Sequence, residues 1–210
     1  MTILVDALVI VGGVALGRWL VRRVRRRQAP LGKAGEAEAE AEPGAARVSH
    51  EAPSSFPCKL GDVVVRVAEG DEAWLAGALM LEEDHPVAAL FVAPEAGGDR
   101  GVFVRDAPGA GMIWLAPIPR DALAVPRDPP HALELEDVRY ERLRRLPVRV
   151  SRVGSGAPAV GERAIVAEYA GPASARLVIV AGTSEVLAWK GVALTEGEYD
   201  VLPGGKDTLE

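Results

Sequence analysis

The sequence predicts an all-β domain, either a small barrel or a two-sheet sandwich, preceded by a single N-terminal transmembrane helix. Two observations predict the β domain. From residue 56 onward the apolar residues fall in short runs, and clusters of Gly, Pro and Asp separate these runs. A third observation predicts the helix, because residues 3–21 form one apolar run at the lower end of the length that crosses a bilayer.

Residues 1–27 are interpreted as a membrane anchor with a basic cytoplasmic flank. A cleaved signal peptide carries its positive charge before the apolar run, whereas here Asp6 comes early and the arginines come at the end. The positive-inside rule therefore places the N-terminus outside the cell membrane and the C-terminal domain in the cytoplasm. The bilayer and its anionic headgroups are the expected partners of the interface residues, which are Arg18, Trp19, Arg22, Arg23, Arg25, Arg26 and Arg27.

Two glycines in the apolar run, Gly13 and Gly17, have the G-x-x-x-G spacing that lets two membrane helices approach closely. Glycine is also common in membrane helices that do not associate. The two interpretations are a helix-packing face, for a second copy or a membrane-protein partner, and an ordinary membrane span.

The charge distribution argues against nucleic-acid binding. Residues 1–33 contain seven of the basic side chains and one acidic side chain, although the chain as a whole has a net charge of −6. The main domain is therefore acidic and would repel a phosphate backbone. Residues 28–55, rich in Ala, Glu and Pro, are predicted to be a disordered linker because they contain too little apolar surface to form a core.

The β domain is predicted to cover residues 56–206, and two stretches of it, 60–117 and 146–203, share a loosely similar layout. Residues 133–146 allow two interpretations, one amphipathic helix or a hairpin that turns at Glu136 and Asp137; the β context favours the hairpin. Pro147 is predicted to end the element in either case. The predicted strands are 63–67, 74–81, 88–92, 101–105, 112–116, 133–135, 138–143, 148–153, 164–169, 176–181, 186–190 and 198–202.

The sequence contains no recognisable catalytic, metal or cofactor motif. Cys58 is the only cysteine, so the chain cannot form an intramolecular disulfide, and burial is its expected role. His85 follows three acidic residues and is expected to lie in an exposed turn. Trp74, Trp114 and Trp189 each fall in a predicted strand, where they are expected either in the core or as an aromatic platform for a ligand.

Four short stretches, "CKLGDVVVR", "GMIWLAP", "AEYAG" and "LAWKGVAL", resemble the DUF4178-type family of bacterial domains. The resemblance extends over residues 56–203 and implies a β-rich domain. It implies no activity and carries over no site residue. The sequence departs from the family's pattern because its opening Leu-x-x-Gly-Asp motif is shortened here, with Leu60 directly before Gly61, and "PVAALFVAP" replaces an aromatic-rich middle.

These observations favour a single-pass membrane protein whose cytoplasmic domain is a protein-interaction or small-ligand-sensing module. One alternative is an accessory subunit that assembles through the transmembrane helix. The other is an enzyme with an unrecognised site, for which Cys58 and His85 are the candidate residues.

Overall fold

The computed structural model describes residues 56–95, 99–123 and 125–204. Within them it contains twelve β-strands, and no helix there is long and apolar enough to span a bilayer. The predicted transmembrane helix and acidic linker lie outside the described residues. The strands are β1 (Val63–Arg66), β2 (Glu72–Trp74), β3 (Gly77–Glu82), β4 (Pro86–Ala93), β5 (Arg100–Arg105), β6 (Met112–Pro117), β7 (Ala132–Leu135), β8 (Val138–Gly154), β9 (Arg163–Ala170), β10 (Ala175–Gly182), β11 (Val186–Leu194) and β12 (Tyr199–Leu202).

Eight of the strands form a closed antiparallel barrel, so the barrel alternative is confirmed. The order around the wall is β3-β4-β5-β6-β11-β10-β9-β8, and pairing of β8 with β3 closes it. Each half of the chain therefore supplies four consecutive strands. The first strands of the two sets pair with each other, and so do the last. A ninth strand, β7, extends the wall beside β8.

The barrel interior is a packed apolar core rather than a ligand cavity. Inward-facing side chains alternate with outward-facing ones along each strand, as the pleat requires. Phe103, Leu115 and Val180 are among the residues in this core, and all three are 1% exposed or less. An eight-stranded barrel has an interior just wide enough for side chains of this size to fill.

Two separate layers cover parts of the outer wall. A small sheet of β12, β1 and β2 packs over the outer face of β3–β6 and buries Phe91 and Trp114. The connection that follows β6, together with β7, packs over β9 and β10 around Tyr169. The Tyr169 hydroxyl donates a hydrogen bond of 2.7 Å to the Pro130 carbonyl, which fastens this connection to the wall.

The hairpin interpretation of residues 133–146 is correct, and its turn lies at the predicted residues. Glu136 and Asp137 both have positive φ, at 53° and 60°, between the paired residues Leu135 and Val138. Two consecutive left-handed residues are the mark of a type I′ turn, whose twist matches that of the flanking strands.

The predicted break at Pro147 is wrong, because residues 138–154 form one strand. Pro147 lies in a stretch of β8 that pairs only with β9, between the parts that pair with β7 and with β3. A proline with no neighbour on one side costs no ladder hydrogen bond there. The predicted strand 74–81 is likewise divided, because Leu75 and Ala76 separate β2 from β3 and the two strands join different sheets.

Candidate functional site

A groove of about 490 Å³ lies on the outer wall at the margin of the layer around Tyr169. We call it the outer-wall groove. Its floor includes Pro147 and Ile165, which are directly opposite each other on β8 and β9, and Ala181 of β10. Strand alternation explains the floor, because the neighbours Val148 and Ala164 face the barrel core instead.

Arginines border this apolar floor. Arg149 and Arg163 are cross-strand partners on β8 and β9, and Arg127 comes from the connection after β6. Like charges directly opposite each other destabilise a sheet unless something neutralises them. Glu82 and Glu83 also line the groove, but among the described residues no carboxylate lies within 4.0 Å of these three guanidinium groups.

The two ends of the barrel differ in chemistry. The loop of residues 155–162 covers one, which we call the closed end. Ala157 and Val160 of this loop are buried in the barrel core. The loop is held by Arg152, whose Nε donates a hydrogen bond of 3.0 Å to the Ala157 carbonyl, and by the Ser155 amide, which donates one of 2.8 Å to the Ala76 carbonyl.

The opposite end, which we call the charged end, contains Glu168 and three arginines. Glu168 of β9 is 4% exposed, and strand alternation puts it on the same face as the core residue Val166. Burial raises the pKa of the Glu168 carboxyl above its usual value, and the positive charges of Arg105, Arg144 and Arg176 oppose that shift.

Beside the charged end lies a second cavity, of about 470 Å³, formed by the loop between β5 and β6. Arg105 lines this cavity, and its Nε is also 3.7 Å from Oε2 of Glu168. Pro57, Glu196 and Tyr199 line it from the small-sheet side. Arg105 therefore connects the buried carboxylate with an accessible space.

The three tryptophans considered as a ligand platform do not form a common surface in the described part of the chain. Trp114 is buried between the barrel wall and the small sheet, and Trp189 is buried in the barrel core. Trp74 is 59% exposed on the small sheet, where it is opposite Val63, which is in turn opposite Leu202. The row of Trp74, Val63 and Leu202 is an apolar strip across the outer face of that sheet.

The candidate enzyme residues have ordinary structural positions. Cys58 is 3% exposed, and burial, followed by the nearby charge of Asp62, raises the pKa of its thiol to about 12. A thiol with such a pKa provides almost no thiolate for nucleophilic attack at neutral pH. His85 is exposed in the turn between β3 and β4, as expected. Among the residues that the structure describes, no three His, Cys, Asp or Glu side chains cluster as a metal site.

The predicted interface residues Arg18 to Arg27 and the predicted packing glycines Gly13 and Gly17 fall outside the described residues. Sequence reasoning missed the outer-wall groove and the charged end. A signal for the charged end exists in "RAIVAEYA", where Glu168 lies on the same face of the strand as the apolar residues Ala164 and Val166.

Comparisons with known proteins provide no relative from which a site can be transferred. No protein-family model, no curated protein and no solved structure matches the chain. The resemblance to DUF4178-type domains therefore stays a prediction, and the functional argument depends on the geometry of the barrel.

Proposed function

We propose that this chain is a single-pass protein of the cell membrane whose cytoplasmic barrel is a small-ligand-sensing module that binds an amphiphilic anion in the outer-wall groove. The observation that carries the proposal is the facing pair Arg149 and Arg163 beside an apolar floor. An anion between the two guanidinium groups would remove their repulsion and accept bidentate hydrogen bonds.

The size and lining of the groove suit this ligand class. Small-molecule sites usually have volumes of 300–1,000 Å³ and apolar walls with a few polar groups that fix orientation, and the groove has about 490 Å³. An alkyl chain would cover Pro147 and Ile165 while the charged head meets the arginines. The proposed anchor would keep the barrel close to the bilayer, where such molecules partition.

The first test is calorimetric titration of hexyl phosphate into the full-length chain in phosphatidylcholine nanodiscs, with empty nanodiscs as the blank. We expect the double variant Arg149→Gln/Arg163→Gln to bind about tenfold more weakly, a change of about 1.4 kcal/mol. Arg139→Gln is the matched control, since Arg139 is an exposed arginine on the same strand but outside the groove.

Equal affinities of the double variant and the control would rule out the groove as the site. Hexanol tests the need for the charge and should bind much more weakly than hexyl phosphate. The orientation is tested separately with a C-terminal alkaline phosphatase fusion, which is inactive in the cytoplasm. Activity of that fusion would contradict the predicted topology.

Protein interaction is a second candidate function, supported by the exposed row of Trp74, Val63 and Leu202. The next row of the same sheet carries Glu72 and Asp200. An apolar strip beside carboxylates suits a protein partner that presents an apolar side chain next to Lys or Arg. A membrane protein recovered with the wild-type chain but not with Trp74→Ser would support this function, whereas equal recovery would remove the strip from consideration.

A further inference from the structure

The charged end of the barrel brings together four ionisable side chains that are far apart in sequence. Arg105, Arg144, Glu168 and Arg176 belong to β5, β8, β9 and β10, respectively. Each lies two residues from an inward-facing apolar residue on its own strand and therefore faces the same way. The pairs are Arg105 with Phe103, Arg144 with Leu146, Glu168 with Val166 and Arg176 with Val178. These neighbours all pack in or against the barrel core, so the four charges form its cap.

A β-bulge gives Arg144 its direction. Across β8 and β9, Arg142 is opposite Tyr169 and Arg144 is opposite Glu168, and Leu143 is the extra residue between them. Tyr169 faces the outer layer, whereas Glu168 faces the barrel axis. The bulge therefore reverses the alternation of β8 and turns Arg144 inward, and bulges that redirect a side chain in this way are common beside functional sites.

The hydrogen-bonding groups of this cluster are largely unused. Within the described residues the buried Glu168 carboxylate accepts no hydrogen bond; its nearest cationic atom is Nε of Arg105, at 3.7 Å. Arg144 makes no side-chain hydrogen bond there, and the guanidinium groups of Arg105 and Arg176 each donate one, to the carbonyls of Ala110 and Ala175. A guanidinium has five N–H donors, so most donors of the cluster are free for a ligand.

The charges of the cluster do not balance. Three guanidinium groups face one carboxylate, which leaves an excess of positive charge beside an apolar core where electrostatic interactions are poorly screened. The chain neighbours of Glu168, Ala167 and Tyr169, face the outer layer, and Val178 is its partner on β10. Asp106 and Glu196 line the cavity beside Arg105, but among the described residues neither carboxylate lies within 4.0 Å of the three guanidinium groups. An oxyanion would neutralise this excess and use the free donors.

We propose that the charged end is an oxyanion-binding site in which Arg105, Arg144 and Arg176 hold the ligand and Glu168 takes up a proton when the ligand binds. The ligand class is a small phosphate-, sulfate- or carboxylate-type anion, either free in solution or as a headgroup. This site is independent of the outer-wall groove and shares no lining residue with it.

The proton uptake follows from the position of Glu168. Its carboxylate is buried, and the arginines stabilise its ionised form. A bound anion would compete for those same arginines and add negative charge nearby, so the protonated form of Glu168 becomes favoured. Binding therefore strengthens as the pH falls.

The test is calorimetric titration of sodium sulfate into the full-length chain in phosphatidylcholine nanodiscs, at constant ionic strength. Sulfate keeps its charge between pH 5 and 8, so any pH dependence comes from the protein. Titration in two buffers of different ionisation enthalpy measures the proton uptake. We expect binding that tightens as the pH falls, with a net uptake of protons.

Matched variants assign the effect to single residues. Arg144→Gln should weaken sulfate binding at least about tenfold, whereas Arg145→Gln, which alters the adjacent arginine paired with Asp128, should leave it unchanged. Glu168→Gln should still bind sulfate but without proton uptake. Arg144→Lys retains the charge and tests the site if the Gln variant fails to fold.

The groove variant Arg149→Gln/Arg163→Gln should bind sulfate normally, so failure of one site is distinguishable from failure of the other.

Three results would overturn the proposal: no sulfate binding by the wild type, equal affinities of the Arg144→Gln and Arg145→Gln variants, or undiminished proton uptake in Glu168→Gln. The source of the anion is then identified with nanodiscs that contain phosphatidylglycerol. A lipid headgroup in the site would lower the apparent affinity for sulfate, whereas an unchanged affinity would indicate a free anion.

Discussion

The two ends of the same barrel are completed by opposite chemistry. At the closed end, Ala157 and Val160 extend the apolar core with a loop that contributes no charge to the interior. At the charged end, the same strands finish with Glu168 and Arg144 facing the axis. One end gains stability from apolar burial, whereas the other keeps charged groups that are costly to remove from water. The closed end therefore contributes to folding, and the charged end is where we propose that an anion binds.

The largest expected effect comes from placing a charge in the closed end. In Val160→Asp an unpaired carboxylate would enter the apolar core, where Val160 is fully buried. We expect the free energy of unfolding to fall by about 4 kcal/mol or more. Val67→Asp is the matched control because Val67 is 53% exposed, and it should change stability by about 0.5 kcal/mol or less. Urea denaturation measures both; similar losses would contradict the assigned role of the loop.

A smaller effect is expected from moving the closed-end loop without changing its polarity. A Cβ atom at Gly182 would lie 1.9 Å from the Val160 carbonyl oxygen, so the loop backbone would have to shift. We expect Gly182→Ala to cost about 1–3 kcal/mol. Gly101→Ala is the comparison, because its added methyl group would meet only side-chain carbons at 3.4–3.5 Å. If thermal unfolding shows the same loss of stability for both variants, the loop does not pack tightly against Gly182.

The free energy of unfolding should depend on pH because of Glu168 at the charged end. Because the pKa of Glu168 is raised in the folded protein, the folded state holds this proton more tightly than the unfolded chain. The resulting stability is fully present below the usual carboxyl pKa of 4.5 and is lost as the pH rises through the folded value. In urea denaturation over a pH series, the difference between wild type and Glu168→Gln should show this decline. A constant difference would contradict it.

The smallest expected effect concerns Cys58, whose thiol is buried near the charge of Asp62. Its thiol pKa is raised to about 12, chiefly by burial and further by the charge of Asp62. We expect the native protein to react with a thiol reagent at pH 8 far more slowly than the urea-unfolded protein. Equal rates would show that the layer between small sheet and barrel opens readily. Burial raises the pKa of Cys58 and of Glu168 alike, but at Glu168 the charges of three arginines oppose the increase.

Several features were predictable because they depend on neighbours in sequence. Short apolar runs between turn residues indicated most of the strands, and the turn at Glu136 and Asp137 followed from the residues around it. Pro147 was misread because its effect depends on whether β8 has a neighbour on both sides there. That condition belongs to the assembled sheet.

The sequence by itself determined the all-β class and favoured the turn between β7 and β8, since local periodicity and turn chemistry act on neighbours in the chain. Only the tertiary structure decided that β3 pairs with β8 and closes a barrel, that Arg149 faces Arg163 across an open groove, and that three arginines meet Glu168 at one end. The physical reason is register. Residues far apart in sequence become neighbours only through strand pairing, and a single bulge at Leu143 reverses which side chains face the core.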